Sequence, residues 1–272
     1  MNKLYIVCVL YNSAIVDISS LKVFLHLVDK YDFVRLQIMD NSSEEIAAKN
    51  REASETVYRN KIIYVNDGGN IGISKAYNKA LDTIKDDNFY VMWSDDDTRF
   101  SMEYMENVIK EVRSGKRAII SGIVRTQKRV ISPAKRLIPF SRVPQKMYLQ
   151  KPGLYRNIYC INSGLTIKST IFEAVGRYDE SLFLDAVDHL FSDKLIIKGL
   201  NCIKIVPGMI KQDFSTETND LESRRIRAKI FTRDWICWWR TIHRHGLFIF
   251  STVFHANGSV IKRTLKKHFG IS

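Results

Sequence analysis

With 272 residues, 45% of them hydrophobic and 11% aromatic, the chain can bury a full core, and disorder is excluded as its main state. Its formal charge of +13 is unevenly placed: between Val112 and Phe172 there are thirteen Lys or Arg and no Asp or Glu. Such a span faces nucleic acid, anionic lipid, a phosphate-bearing substrate or plain water, and composition leaves all four open.

The chain opens on Lys3 and an apolar run over 4–10, bounded by Tyr11-Asn12-Ser13. The run is short for a signal peptide and no small-residue cleavage site follows, so it reads as a strand buried on both faces. Leu21, Phe24, Leu25 and Val28 then recur at helical spacing. A second strand is predicted over 34–39, ending at Asp40-Asn41-Ser42-Ser43. A third, over 61–65, runs into Asn66-Asp67-Gly68-Gly69-Asn70-Ile71-Gly72, and a helix with Ile73, Tyr77, Ala80, Leu81 and Ile84 on one face follows. A fourth strand over 89–93 leads to Ser94-Asp95-Asp96-Asp97. Strands alternating with helical patterns, with polar residues at the strand ends, predict an open, mostly parallel α/β sheet whose ligands sit beyond those ends.

Beyond a helix over 102–112 and a strand over 118–124, Pro133, Pro139, Pro144 and Pro152 predict a long surface loop through the basic span. A strand resumes over 164–168, and Thr170 with Glu173 fits a capping box. A helix over 187–198 is expected to end in a left-handed cap at Gly199, and a closing strand over 201–206 to stop at Pro207-Gly208. From Asp220 onward Arg224, Arg225, Arg227, Lys229, Arg233, Arg240 and Arg244 alternate with Ile226, Ile230, Phe231, Trp235, Ile236, Trp238 and Trp239. Two readings are open: a helix lying in a membrane interface, or one docked on the core with a solvated basic face. No run reaches the roughly 20 apolar residues of a bilayer span. Cys8, Cys160, Cys202 and Cys237 lack any paired spacing, so reduced thiols in a cytosolic compartment are expected.

Three consecutive carboxylates at the end of a buried strand repel one another and are costly to desolvate unless a cation or a set of donors offsets them. Mg²⁺ or Mn²⁺ suits oxygen ligands and completes its shell with water and substrate phosphates, which points to diphosphate chemistry. An acidic turn capping the next helix is the alternative. The Gly68–Gly72 loop lacks both the P-loop ending and the dinucleotide fingerprint, which disfavours a nucleotidase or a dehydrogenase. Asp185 and Asp188, in Phe183-Leu184-Asp185-Ala186-Val187-Asp188-His189, read either as helix-start caps or as a general base held on a rigid helix start.

Val9-Leu10-Tyr11-Asn12, Asp40-Asn41-Ser42-Ser43, the Asn70–Ala80 segment, Asp95-Asp96-Asp97, Asn162-Ser163-Gly164, Gly176-Arg177-Tyr178-Asp179-Glu180 and Phe183–Asp188 occur in the order found in family 2 glycosyltransferases. The chain resembles that family over about 4–214, most nearly its rhamnosyltransferase-like branch. The resemblance implies a GT-A fold over 1–215, with 1–100 as a nucleotide-sugar half, 101–215 as an acceptor half and 216–272 as a basic, aromatic helical extension. Tyr11, Asn12, Asp40, Asn70, Gly72, Asp95 and Asp96 would line the nucleotide-sugar pocket, with Asp40 on the pyrimidine. Asp97, Asp95 and Gln212 would hold Mg²⁺ or Mn²⁺, Asp188 would be the base, and Asp185 and Trp93 would serve the acceptor. Two positions depart from the branch: Leu190 stands where it usually has Glu, and Gln212 where a His commonly ligates the metal.

The reading that follows is an inverting transfer from a UDP- or dTDP-sugar (rhamnose, galactofuranose or a hexose) to a bacterial surface polysaccharide or polyprenyl-diphosphate-linked acceptor. It places the protein at the cytoplasmic face of an anionic membrane and leaves a homo-oligomer open. An inactive, nucleotide-binding homologue is the second reading. A nucleic-acid-binding α/β protein is the third, but it sets four carboxylates against phosphates, so no nucleic acid is expected as partner.

Overall fold

The structure, a computed structural model, describes residues 2–136, 146–212 and 221–242. The opening apolar run forms β1 (Lys3–Leu10), buried along almost its whole length. β1 pairs in parallel with β2 (Val34–Asp40) on one side and with β4 (Phe89–Asp95) on the other, and β3 (Ile62–Asn66) continues the sheet past β2. Leu10 lies level with Asp40, Asp40 with Asn66, and Val9 with Asp95, so the polar strand ends share one edge of the sheet. Parallel strands joined by helices put every such end on the same side, which is where this architecture binds ligands.

Period-2 alternation along β1 feeds two cores. Leu4, Ile6, Cys8 and Leu10 pack with Phe24 and Leu27 of α1 (Leu21–Lys30) and with Tyr104, Met105 and Val108 of α4 (Met102–Ser114). Tyr5, Val7 and Val9 face α3 (Ile73–Thr83), α5 (Ser169–Val175), α6 (Val187–Ile197) and α7 (Leu221–Ile242). The result is a sheet covered on both faces, and each large side chain buried in it contributes about 1.5–3 kcal/mol. The helix between β2 and β3, α2 (Glu44–Thr56), buries only Ala47, Asn50 and Ser54, so its sequence carries almost no apolar stripe.

The second half departs from the expected parallel order. β6 (Ile119–Arg125) and β4 are bridged by the short β11 (Thr166–Lys168), antiparallel to both. The basic span is not one long loop: β7 (Val130–Ser132), β8 (Ala134–Arg136), β9 (Lys146–Tyr148) and β10 (Gly153–Arg156) lie within it. At three or four residues each, these strands are too short to show a period. Residues 137–145, with Pro139 and Pro144, lie outside the described residues.

The closing strand, β12 (Cys202–Gln212), does not stop at Pro207-Gly208 but shifts register between Ile205 and Met209 and runs on. The Pro has no N–H to give the ladder, and a bulge absorbs it. Gly208 has φ +112, and a Cβ there would lie 2.3 Å from the Tyr104 backbone nitrogen. Past the bulge β12 pairs with β5 (Thr98–Phe100), with Gln212 level with Thr98 beside the Asp cluster. The path across the sheet is β10-β12-β6-β11-β4-β1-β2-β3.

The capping box at Thr170–Glu173 does not form, since α5 starts at Ser169 after Lys168 and has no side-chain cap. Gly199 does take the left-handed conformation, at φ +69. In α7 the aromatic face docks on the core: Trp238 is 2% exposed and Trp239 9%. Arg225, Lys229, Arg233 and Arg240 stay exposed. Ile226 and Phe231 are exposed as well, so the tryptophans fit docking on the core while the outer face carries both basic and apolar side chains.

Candidate active site

β4 ends on Asp95, a tight turn carries Asp96 and Asp97, and β5 leads the chain back. Asp95 Oδ2 accepts from Ser163 Oγ at 2.6 Å and from Gln212 Nε2 at 2.9 Å. Burial holds the Asp95 carboxyl above the usual range, the Ser163 and Gln212 donors pull it down, and the charges of Asp96 and Asp188 push it up again. Burial, then Asp95, then Asp96 push Asp97 up to about 7. Gln212 Oε1 is buried and has no hydrogen-bond partner among the described residues.

This donor set fits a hard divalent cation. Two crowded carboxylates and an orphaned amide oxygen at the same turn are oxygen ligands in excess of the local positive charge. Among the described residues no three His, Cys, Asp or Glu side chains are grouped to hold a metal. A cation held by Asp95, Asp97 and Gln212 would need further oxygen ligands from outside these three side chains.

The β1 and β2 ends form the adjoining wall. Tyr11 is 58% exposed. Asn12 adopts φ +53, gives its N–H to Ser42 Oγ at 2.9 Å and accepts the Ser43 N–H at 3.0 Å, tying the two strand ends together. Asp40, expected on a pyrimidine, is fully buried, and its oxygens already accept from the Ser42 N–H (2.9 Å), Asn50 Nδ2 (2.8 Å) and Tyr64 Oη (2.8 Å). In this arrangement Asp40 braces the wall. Asn70 is exposed and accepts the Gly72 N–H through Oδ1 at 3.0 Å. Gly72, at φ +84, is needed for close packing: a Cβ there would stand 2.6 Å from the Phe183 ring and 2.9 Å from its carbonyl oxygen.

Phe183 belongs to the loop that leads into α6. Its carbonyl accepts the Ile73 N–H at 2.6 Å, which joins this loop to the start of α3. Asp188 sits in the first turn of α6 and accepts the His189 N–H through Oδ1 at 2.8 Å. Its charge is near enough to push the Asp95 carboxyl up. Asp185 is not the helix cap; that position belongs to Ala186, in the left-handed region at φ +59. Both Asp185 oxygens are held by Arg227 of α7. Trp93, expected at the acceptor, is fully buried, with the Tyr77 ring 4.2 Å and the Tyr178 ring 5.6 Å from it. It forms the floor beneath Asp95 and offers no face to a sugar.

Comparison with known proteins decides the family. The family model described as Glycosyl transferase family 2 matches residues 5–175. The chain belongs to glycosyltransferase family 2. No curated protein sequence matches this family 2 transferase at a significant level. Among solved structures it is similar to the crystal structure of GalNAc-T7 with UDP, GalNAc and Mn²⁺, at 11% identity and a TM-score of 0.65, over 98% of this chain and 54% of that one. It is also similar to the mannosyltransferase PcManGT from Pyrobaculum calidifontis in complex with GDP-Man and Mn²⁺, at 14% identity and a TM-score of 0.56, over 95% of this chain and 69% of that one. The chain spans about half the length of the GalNAc-T7 chain, and at these identities the likeness shows a shared GT-A fold.

Three residues that hold the predicted site residues or their loop were not assigned roles from sequence: Ser163, Arg227 and Asp234. Ser163 lies in the Asn162-Ser163-Gly164 motif, whose resemblance named no partner for it. Asp234 carried a weak signal, a lone acid between Arg233 and Trp235 in an otherwise basic stretch. Its buried position makes that exception meaningful.

Proposed function

We propose that this family 2 protein is an inverting, metal-dependent glycosyltransferase in which Asp188 is the general base. The observation that carries this reading is Asp188 in the first turn of α6, within electrostatic reach of the partly buried Asp95 at the end of β4. Asp188 takes the proton of an acceptor hydroxyl while that oxygen bonds to the anomeric carbon of the donor sugar. The bond from that carbon to the diphosphate breaks on the opposite side, the nucleoside diphosphate leaves with the electron pair, and one displacement inverts configuration. Asp95, Asp97 and Gln212 hold the divalent cation, while Ser163 fixes the Asp95 rotamer. When bound, Mg²⁺ or Mn²⁺ supplies positive charge against the departing diphosphate.

Exposed Tyr11 and Asn70 are the side chains at this edge that are free to meet a nucleotide, which we take to be UDP or dTDP. The acceptor we propose is a saccharide on a bacterial polyprenyl diphosphate or a growing surface polysaccharide. The exposed Arg225, Lys229, Arg233 and Arg240 of α7 would then meet anionic lipid at the inner face of the membrane. Among the described residues no helix is long and apolar enough to cross a membrane. Leu190, 1% exposed, lies in the core, so the Glu of the rhamnosyltransferase-like branch has no counterpart at that position and the donor sugar is left as rhamnose, galactofuranose or a hexose.

Calorimetry of UDP and dTDP, each with and without Mn²⁺, is expected to show metal-dependent binding of one of them. Asp188→Asn should lower kcat by a hundredfold or more at unchanged nucleotide affinity, the order expected for loss of a general base. Gln212 in place of a metal-ligating His favours a second reading, a homologue that binds nucleotide and does not turn over. Nucleotide binding without transfer by the unaltered protein would establish that reading instead.

A further inference from the structure

Asp234 of α7 lies fully buried against the loop that precedes Asp188. Its Oδ2 accepts three successive backbone N–H groups, from Phe183 at 3.1 Å, Leu184 at 2.7 Å and Asp185 at 2.9 Å. Its Oδ1 accepts from Arg233 Nε at 3.1 Å and Nη2 at 2.9 Å. Convergent backbone N–H groups form an anion-binding nest, and here the anion is a side chain of the protein itself. A second strap runs alongside, because Arg227, two turns earlier on α7, clasps both oxygens of Asp185. A planar guanidinium on a carboxylate fixes orientation as well as distance.

We infer that α7 is the positioning element of the catalytic loop, with Asp234 and Arg227 as positioning residues that set where Asp188 points. The inference rests on Asp188 being the base. Ala186 stands between the straps and Asp188 in the left-handed region, where a residue with a Cβ persists only if its surroundings over-determine it. Those surroundings are Asp234 and Arg227 on one side and the α3 start on the other, where Gly72 admits Phe183. α7 has anchors on the core other than Asp234. Trp238 and Trp239 bury their rings in the core, and Trp238 Nε1 donates to Asp193 Oδ2 at 2.7 Å. A buried carboxylate in a docking face already supplied with indoles serves the N–H groups it collects.

The test is steady-state kinetics of the full chain with calorimetric UDP affinity, comparing Asp234→Asn, Arg227→Gln and Asp188→Asn. Asp234→Asn keeps the shape and removes the charge that three N–H groups share. It is expected to lower kcat at least tenfold with donor KM and UDP Kd within twofold. Arg227→Gln should lower kcat three- to tenfold with the same split. Hydrogen exchange should rise at least tenfold at amides 183–185 in Asp234→Asn and remain unchanged in β1. Unchanged kcat in either variant, or a loss of UDP affinity in proportion to kcat, overturns the positioning role. Should Asp234→Asn fail to fold, Arg227→Gln decides alone. If Asp188→Asn retains full kcat, it is the base assignment that fails, a result distinct from both.

Discussion

Asp97 shows how one side chain records the demand of its site. Its carboxyl ordinarily titrates near 3.8 and in the fold is pushed up to about 7, by burial first and then by Asp95 and Asp96. Between those values the folded chain holds a proton that the unfolded chain has released, so the slope of stability with pH is negative there. Stability from this group is therefore full below about 3.8 and declines as pH rises towards 7. Melting the EDTA-treated protein between pH 5 and 8 should show Tm falling with rising pH, and Asp97→Asn should flatten that part of the curve. Mn²⁺ must displace the same proton, so its affinity should weaken as pH falls below 7. A Tm profile identical in the two proteins would mean that Asp97 is not the strained member of the cluster.

At the scale of elements, the bulge in β12 governs whether Gln212 reaches Asp95. Gly208→Ala would press a methyl into the Tyr104 backbone at 2.3 Å, and neither backbone can yield without moving α4 or the strand. A loss of about 2–3 kcal/mol is expected from the overpacking and the unfavourable φ together, read as a lower urea midpoint at unchanged m-value. Metal-dependent nucleotide binding should weaken with it. An unchanged midpoint would show that β12 accommodates the methyl by sliding. This bulge also marks a limit of what the chain's pattern reveals. Pro-Gly reads as a stop, because nothing local tells a strand end from a bulge that a distant helix backbone completes. By contrast β1, β2, β4 and α3 were legible, since long apolar runs and a wide apolar stripe encode burial directly. α2 was not, because its buried side is made of Ala47, Asn50 and Ser54, none of which marks a face. The carboxylates of Asp95, Asp97 and Asp188 stand out in the sequence by their placement at element ends, where the structure also has them. Partnerships across the chain, such as Asp234 with the 183–185 amides or Trp93 with Tyr77 and Tyr178, depend on which elements meet.

For the molecule as a whole, the charge of +13 and the location of the tryptophans together predict how it would meet the anionic membrane of the proposed function. Interfacial helices hold on by inserting aromatic side chains, yet Trp93, Trp238 and Trp239 are buried in the core and Trp235 is partly buried against His189 and Trp238. What α7 offers outward is mainly a cationic stripe, Arg225, Lys229, Arg233 and Arg240, with Ile226 and a partly packed Phe231 as its exposed apolar side chains and no exposed indole. A stripe without inserted rings binds by charge, at about 1 kcal/mol for each Lys or Arg near an anionic surface, and the attraction fades within a Debye length. Co-sedimentation with phosphatidylglycerol vesicles should therefore be strong at low salt and lost by about 0.5 M NaCl, where screening reaches a few ångströms. Tryptophan emission should not shift to the blue on binding, because no indole leaves water. Reversing Arg225 and Lys229 to Glu should abolish sedimentation while leaving nucleotide binding intact, since both are exposed and neither is assigned a role in the site. Salt-resistant binding, or a blue shift, would assign the attachment to insertion and remove the electrostatic account of this excess charge.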